Sequence, residues 1–292
     1  MTSTHLEFRQ IDVFSDTPFL GNPVAVVLGA DGLDTARMQR IATWTNLSET
    51  TFVLKPTVPA ADYRLRIFDP HVELPFAGHP TLGSARAFLD MGGRERNPGH
   101  LVQECARGLV TVRIDAAAPE RLFLRLPEVQ VQEIDGDIMR LLPQAIGSTP
   151  LPNAIAIDVG PQWLVARLDS AATVRSLMPD MHRITALSKT LGITGITVFG
   201  TDREQTEVRS FAPAHGVSED PVCGSGNGAV AVYRRREGQL AGYIADQGCC
   251  IGRAGRIFVE YGEDEAVWIG GETRVCISGA ITLAATHSGP QR

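Results

Sequence analysis

The sequence predicts an α/β (α+β) protein built from two similar halves, each a curved, mostly antiparallel sheet wrapped around one buried helix. Three observations carry this. First, a pattern of strand, acidic proline turn, glycine and apolar helix occurs twice. The earlier copy has Phe68-x-Pro70, Glu73-x-Pro75 and Gly78-His79-Pro80 leading into Thr81 to Leu89. The later copy has Phe211-x-Pro213, Glu219-x-Pro221 and Cys223-Gly224-Ser225-Gly226 leading into Gly228 to Tyr233. Gly78 aligns with Gly224 and Ala77 with Cys223, and the extra residues of the later copy fall in its turn. Second, both helices are rich in Gly, Ala, Ser and apolar residues with almost no polar stripe, and a helix that is apolar all round is buried. Third, 292 residues are long for one hydrophobic core and comfortable for two. We therefore expect a first domain over 1–118 joined by a returning tail at 272–292, and a second over 119–271. A cleft would lie between the two helix N-termini.

In chain order, Phe8 to Phe14 alternates apolar Phe8, Ile11 and Val13 with polar Arg9, Gln10 and Asp12, as a half-buried strand does. Thr17 to Pro23 is a tight turn and Val24 to Leu28 a buried strand. Asp31 to Thr45 reads as an amphipathic helix capped by Asp31, with Met38, Ile41 and Thr45 on one face. It ends near Asn46, and β-branched Thr50 to Leu54 follows as a strand. Pro80 suits a helix N1 position, which makes His79 the cap, and Gly92-Gly93 closes that helix. Leu101 to Ile114 and Arg121 to Leu126 are strand candidates, with Ala116 to Pro119 a crossover between domains. Asp135 to Leu142 and Ala172 to Leu191 contain helices, while Ile155 to Asp169, broken by a turn at Asp158 to Pro161, and Ile196 to Gly200 read as strands. Val208 to Phe211, Ala241 to Cys250, Arg256 to Tyr261, Ala266 to Ile269 and Arg274 to Ala284 complete the strands.

Composition narrows the function classes. Apolar content of 43%, charged content of 21% and a formal charge of −6 describe an ordinary globular protein and argue against a nucleic-acid partner. The Arg234 to Arg236 run sits where a helix C-terminus favours cations. No basic start with an apolar core suggests a signal peptide, and no apolar run reaches membrane-spanning length. Five cysteines without C-x-x-C or Cys/His ligand spacing point to reduced thiols in the cytoplasm and to no structural zinc or other metal.

Several residues then stand out as chemistry. Glycine-rich turns opening helices direct unpaired N–H groups, and the positive helix end, at any anion in front of them, so Gly78 and Gly224 mark a carboxylate or oxyanion site. Glu219-Asp220 places two carboxyls on the adjoining turn. At a helix N-terminus the His79 imidazole is expected to be neutral, able to give or take a proton. Asn22, held extended by Pro23, either points its amide into the cleft or bonds its own turn. Glu49 lies at a helix-to-strand junction, a place where catalytic groups are mounted, although an isolated loop glutamate is more often a solvated surface group.

The set Val13-Phe14, Phe19-x-Gly-Asn-Pro23, Ser48-Glu49-Thr50, Glu73-Leu-Pro-Phe-Ala-Gly-His-Pro-Thr-Leu-Gly83 and Glu219-Asp-Pro-Val-Cys-Gly-Ser-Gly226 resembles the PhzF-like phenazine biosynthesis isomerase family, within the diaminopimelate-epimerase-like fold. The resemblance spans nearly the whole chain. It implies two pseudo-symmetric domains, a site between them that needs no cofactor, a small carboxylate as substrate, and a homodimer. It also implies that Glu49 moves a proton between carbons of a hydroxylated cyclohexadiene carboxylate such as trans-2,3-dihydro-3-hydroxyanthranilate. His79 and Asp220 would stand around it, Gly224, Ser225 and the matching Gly78 would hold the substrate carboxylate, and Asn22 would line the pocket. Racemases of the wider fold use two cysteines, one heading each helix; here Cys223 faces Ala77. An amino-acid racemase pairing Cys223 with Glu49, or a non-catalytic binding protein, are the competing readings. Trp44, Arg209 and His215 are candidates for setting specificity.

Overall fold

The computed structural model describes residues 4–126, 128–203, 205–262 and 266–283. The first half of the chain forms β1 (Thr4–Val13), β2 (Asn22–Leu28), α1 (Thr35–Thr45), β3 (Thr50–Leu54), β4 (Tyr63–Phe68), β5 (Glu73–Leu74), α2 (Gly78–Asp90), β6 (His100–Cys105), β7 (Gly108–Ile114) and β8 (Arg121–Arg125). The second forms β9 (Gln130–Glu133), α3 (Gly136–Ile146), β10 (Ile155–Asp158), β11 (Gln162–Arg167), α4 (Ala171–Ser176), α5 (Met181–Leu191), β12 (Gly195–Asp202), β13 (Gln205–Phe211), α6 (Gly224–Arg236), β14 (Tyr243–Gln247), β15 (Gly255–Tyr261) and β16 (Val267–Leu283).

Hydrogen bonding runs β1-β2-β3-β4-β6-β7-β8-β16 and continues β15-β14-β13-β12-β11-β10-β9. Because β1 also pairs β16, the first eight strands of this path close on themselves around α2. Most neighbours are antiparallel. The parallel pairs are β2–β3, β4–β6, β11–β12 and β13–β14, and parallel neighbours need a crossover. Those crossovers are α1 and α2 in the first half, α4 with α5 and then α6 in the second. The same two connections thus recur in the same order, which is the internal repeat expressed as topology.

Strand β16 ties the halves together. Its first residues pair with β15 and β8, and Thr273 onward pairs with β1. Side chains of α2 and α6, among them Leu82, Ala85, Ala229 and Val230, share one core with strands of both halves. The outer helices have their own cores. Met38 and Ala42 of α1 pack on Phe52 and Phe68, whose rings meet edge to face at 5.5 Å. Leu142, Ile146 and Ile184 of α3 and α5 pack on Leu164 and Val198. Close approach explains one glycine directly: a Cβ on Gly83 of α2 would lie 2.3 Å from Val24 Cγ1 of β2. Among the described residues no helix is long and apolar enough to cross a membrane.

Local details differ from expectation in informative ways. Asp34, not Asp31, caps α1, accepting from Arg37 N at 2.8 Å; Asp31 belongs to a 3₁₀ turn and accepts from Lys55 N at 3.0 Å. Ala77 precedes α2, so His79 is the second helical residue and Pro80 the third, still within the first turn, where a missing N–H is tolerated. Residues 116–119 do not cross between domains; they turn β7 back onto its antiparallel partner β8. Helix α6 begins at Gly224, four residues before the apolar run, and β14 stops at Gln247, giving way to a 3₁₀ turn at Cys249–Ile251.

Arg209 is buried in the scaffold. It donates to both Glu219 oxygens at 2.9 and 2.8 Å, and its remaining nitrogen donates to the Val174 and Leu177 carbonyls. The two side chains are 7% and 8% exposed. Removing one partner of such a pair strands a buried charge, at a cost of about 3–5 kcal/mol. Glu219→Ala is therefore expected to lose about 3–5 kcal/mol in urea unfolding, with much of the loss recovered when Arg209→Met is added. A loss of only about 1 kcal/mol, the size of a surface pair, would show the pair to be solvated.

Candidate active site

Helices α2 and α6 direct their N-termini at each other. A Cβ on Gly224, the first residue of α6, would lie 3.8 Å from His79 N in α2 and 3.2 Å from Phe14 Cζ. The opening N–H groups of any helix lack intrahelical acceptors. No side chain caps α2. At α6, Cys223 Sγ accepts from Gly226 N at 3.2 Å, leaving the N–H groups of Gly224 and Ser225 as the foremost donors. Two positive helix ends thus converge on one point, an arrangement suited to an anion.

Glu49 follows the left-handed Asn46 that ends α1 and precedes β3. Its carbonyl accepts from Ala25 N, which holds the junction against β2. The carboxyl turns inward, only 18% exposed, and its Oε2 lies 3.3 Å from His79 Nε2. Neither atom has an aligned hydrogen-bond partner among the described residues, although both are buried. Burial raises the Glu49 pKa from 4.5 to about 7; a Ser48 hydrogen bond opposes the rise and the Asp69 charge adds to it. Burial likewise lowers His79 from 6.5 to about 4, against the charges of Asp220 and Asp12 and a hydrogen bond to the Pro23 carbonyl. At neutral pH the imidazole is neutral. Nε2 has no hydrogen-bond partner among the described residues, so the nitrogen that bonds Pro23 is Nδ1, and Nε2 carries the lone pair. A proton on Glu49 therefore has an acceptor 3.3 Å away, out of line for a hydrogen bond in this arrangement.

Asp220 is the third ionisable group. Burial raises it from 3.8 to about 6; His79 opposes the shift and Glu49 reinforces it. Asn22, 1% exposed, donates to Asp220 Oδ1 at 3.1 Å and to the Val222 carbonyl at 3.0 Å. Its amide neither points into an open cleft nor bonds its own turn; it bridges the two halves. Ser225 Oγ accepts from Trp163 Nε1 at 3.1 Å. Gly78, Gly224 and Ser225 border an apolar hollow walled by Phe14, Phe76, Leu82, Leu124, Leu126 and Ile269.

All seven residues singled out in the sequence thus fall around the meeting point of the two helices. Three others do not join them. Trp44 is 85% exposed on α1, His215 is exposed on a 3₁₀ turn, and Arg209 is held by Glu219. Sequence reasoning missed Gln247, which is 2% exposed. Its Oε1 accepts from Cys223 N and Asn227 Nδ2, and its Nε2 donates to the Asp220 carbonyl. A signal existed, because strand alternation puts Gln247 on the same face as buried Ala245. Cys223 itself is buried, and burial pushes its thiol well above the ordinary range. Among the described residues no group of three or more His, Cys, Asp or Glu side chains is arranged to hold a metal ion.

The chain matches the family of phenazine biosynthesis-like proteins over residues 11–280. It belongs to this family. It is similar to antisense-enhancing sequence 1 of Schizosaccharomyces pombe, with 41% identity over 94% of this chain and 98% of that one. It is also similar to trans-2,3-dihydro-3-hydroxyanthranilate isomerase of Pseudomonas fluorescens, with 36% identity over 92% and 94% of the two chains. A solved PhzF-family protein of Enterococcus faecalis superposes with a TM-score of 0.80 and 28% identity, covering 96% of this chain and all of that one. The protein is an isomerase of the PhzF family.

The raised Glu49 pKa has a consequence for stability. Below about pH 4.5 the carboxyl is protonated in folded and unfolded chains alike and contributes no pH dependence. As pH rises toward 7, the unfolded chain releases a proton that the folded chain keeps, so folding becomes less favourable by up to roughly 3 kcal/mol. Glu49→Gln removes this effect. Measured by urea unfolding, its stability relative to the wild type is expected to rise by up to roughly 3 kcal/mol between pH 4 and pH 8; a difference that stays flat would contradict the shift.

Proposed function

We propose that this isomerase works without a cofactor, moving a proton, and with it a double bond, within a small carboxylate by acid–base catalysis at Glu49. The observation that carries the reading is the buried Glu49 Oε2 facing the bare Nε2 of His79 at 3.3 Å. A carboxyl with a pKa of about 7 is divided between its two protonation states at neutral pH, the condition in which one group can both take and give a proton. The step balances within the site: carboxylate Glu49 removes a C–H proton, the electron pair moves into the conjugated substrate, and protonated Glu49 returns the proton to another carbon. A small rotation that aligns His79 Nε2 with Glu49 Oε2 would let the imidazole accept a hydrogen bond from the protonated carboxyl between these events.

The substrate carboxylate is assigned to the convergent helix ends, with the N–H groups of Gly78, Gly224 and Ser225 as donors. Charge that spreads from the reacting carbon onto that carboxylate would be stabilised by donors already in place. The walls beside these donors are apolar, as contact with a hydrocarbon ring requires, and the relatives named for trans-2,3-dihydro-3-hydroxyanthranilate support a cyclic dienoic acid of that kind. Asp220, coupled to Glu49 and His79, would govern which of them carries charge when the substrate binds. A racemase using Cys223 finds no support: its thiol is far from ionisation, and the thiolate is the reactive form.

The test is proton NMR in D₂O with trans-2,3-dihydro-3-hydroxyanthranilate. Deuterium is expected at a ring carbon with wild type and Cys223→Ala. With Glu49→Gln the rate should fall by about 10²–10⁴-fold, the usual contribution of a positioned acid–base group. Incorporation that survives Glu49→Gln would remove the glutamate from the mechanism.

A further inference from the structure

Asp12 stands among the polar residues of the β1 alternation, yet it is 3% exposed. Its Oδ2 accepts from Gly21 N at 3.0 Å, while Leu20 N in the same loop donates to the Thr17 carbonyl and Asp12 Oδ1 is buried without a hydrogen-bond partner among the described residues. That bond ties the carboxylate of β1 to the residue that precedes Asn22. The opposite edge of the same loop is held as well. Arg253 donates to the Phe19 and Gly21 carbonyls, and Ala254 N donates to the Leu20 carbonyl. The loop is confined to a tight path, since Phe19 has φ 70° and a Cβ on Gly21 would lie 2.3 Å from the Val13 carbonyl oxygen.

The next two residues reach the site. Asn22 places its amide on Asp220 Oδ1, and Pro23, the cross-strand partner of Asp12, offers its carbonyl to His79. We infer that Asp12 is a positioning residue: its carboxylate, with Arg253 on the other edge, fixes residues 19–21 so that Asn22 meets Asp220 and Pro23 orients His79. Asp12 bonds the backbone of Gly21 and Arg253 the carbonyls of Phe19 and Gly21, so both act on the loop that leads into Asn22 and Pro23. Calling the positioned groups reactive rests on the function proposed above. The placement itself can be read from the protein alone, so failure of one is distinguishable from failure of the other.

The test is nitrogen-15 NMR of wild type, Asp12→Asn and Arg253→Met without substrate. Asparagine keeps the shape of Asp12 but removes its charge, which weakens the bond from Gly21 N. In both variants the Asn22 side-chain amide protons are expected to exchange about tenfold faster. The His79 ring is expected to pass from one tautomer to a mixture as its bond to Pro23 slackens. Leu142→Ala, which destabilises the separate core under α3, serves as the control and should leave both signals in place. Unchanged Asn22 and His79 signals in both folded variants would overturn the inference, and so would equal changes in Leu142→Ala, because the effect would then be one of general stability.

Discussion

Two helix N-termini brought nose to nose are the constraint on which the rest of this molecule depends. Each end carries partial positive charge and N–H groups without intrahelical acceptors. Side by side they repel unless something negative or proton-accepting sits between them. The chain answers with groups drawn from four places in the sequence: Glu49 after α1, Asp220 before α6, Cys223 at the α6 cap, and Asp12 beneath Gly21. Burial raises the proton affinity of both Asp220 and Glu49, with the Glu49 charge adding to the rise at Asp220 and the Asp69 charge to that at Glu49. The meeting point is therefore electrically unfinished, and a substrate carboxylate would complete it.

Such a site is costly to fold, and the surrounding structure explains how it is held. Closing the first ring of strands through β16 buries α2, while β16 also carries the second half on its other edge. Both central helices lie in one shared core, so their ends have little freedom to separate. Side-chain amides supply the finer control. Asn22 ties Asp220 from the first half, and Gln247 ties the Asp220 backbone and the α6 cap from the second. The Arg209–Glu219 pair anchors the acidic turn from behind. Hydrogen-bonded polar networks of this kind suit a site that must hold carboxyls away from water without neutralising them.

Much of the fold was legible because the repeat and the all-apolar helices are one-dimensional signals. The parallel crossovers follow from the order of elements, and the proline and glycine turns mark the ends of strands. The errors are local and have physical reasons. Asp31 and Asp34 both suit a cap, and only the 3₁₀ turn that takes up Asp31 decides. The start of α2 escapes the sequence pattern because Ala77 has no capping side chain to announce it. Alternation puts Asp12 with the polar residues of β1 and cannot foresee a loop folding over the strand to bury it. Arg209 looked available for a ligand, since nothing in its neighbourhood of sequence shows the bidentate return of Glu219. Of the site, the glycine turns and Asp220 could be argued from the residues. The meeting of Glu49 with His79 could not, because it depends on β3 and α2 packing against a common strand, and it came from family resemblance.

The central claim is that the fold keeps Glu49 half-protonated beside a neutral imidazole. The direct measurement is carbon-13 NMR titration of the Glu49 carboxyl, with glutamate labelled at the side-chain carboxyl carbon and the signal assigned by its loss in Glu49→Gln. A midpoint near the value of about 7 set by burial, with the His79 ring still neutral at pH 6, is the result predicted. A carboxyl that titrates near its ordinary 4.5 would mean that water reaches it freely, and Glu49 could then not serve as both acid and base.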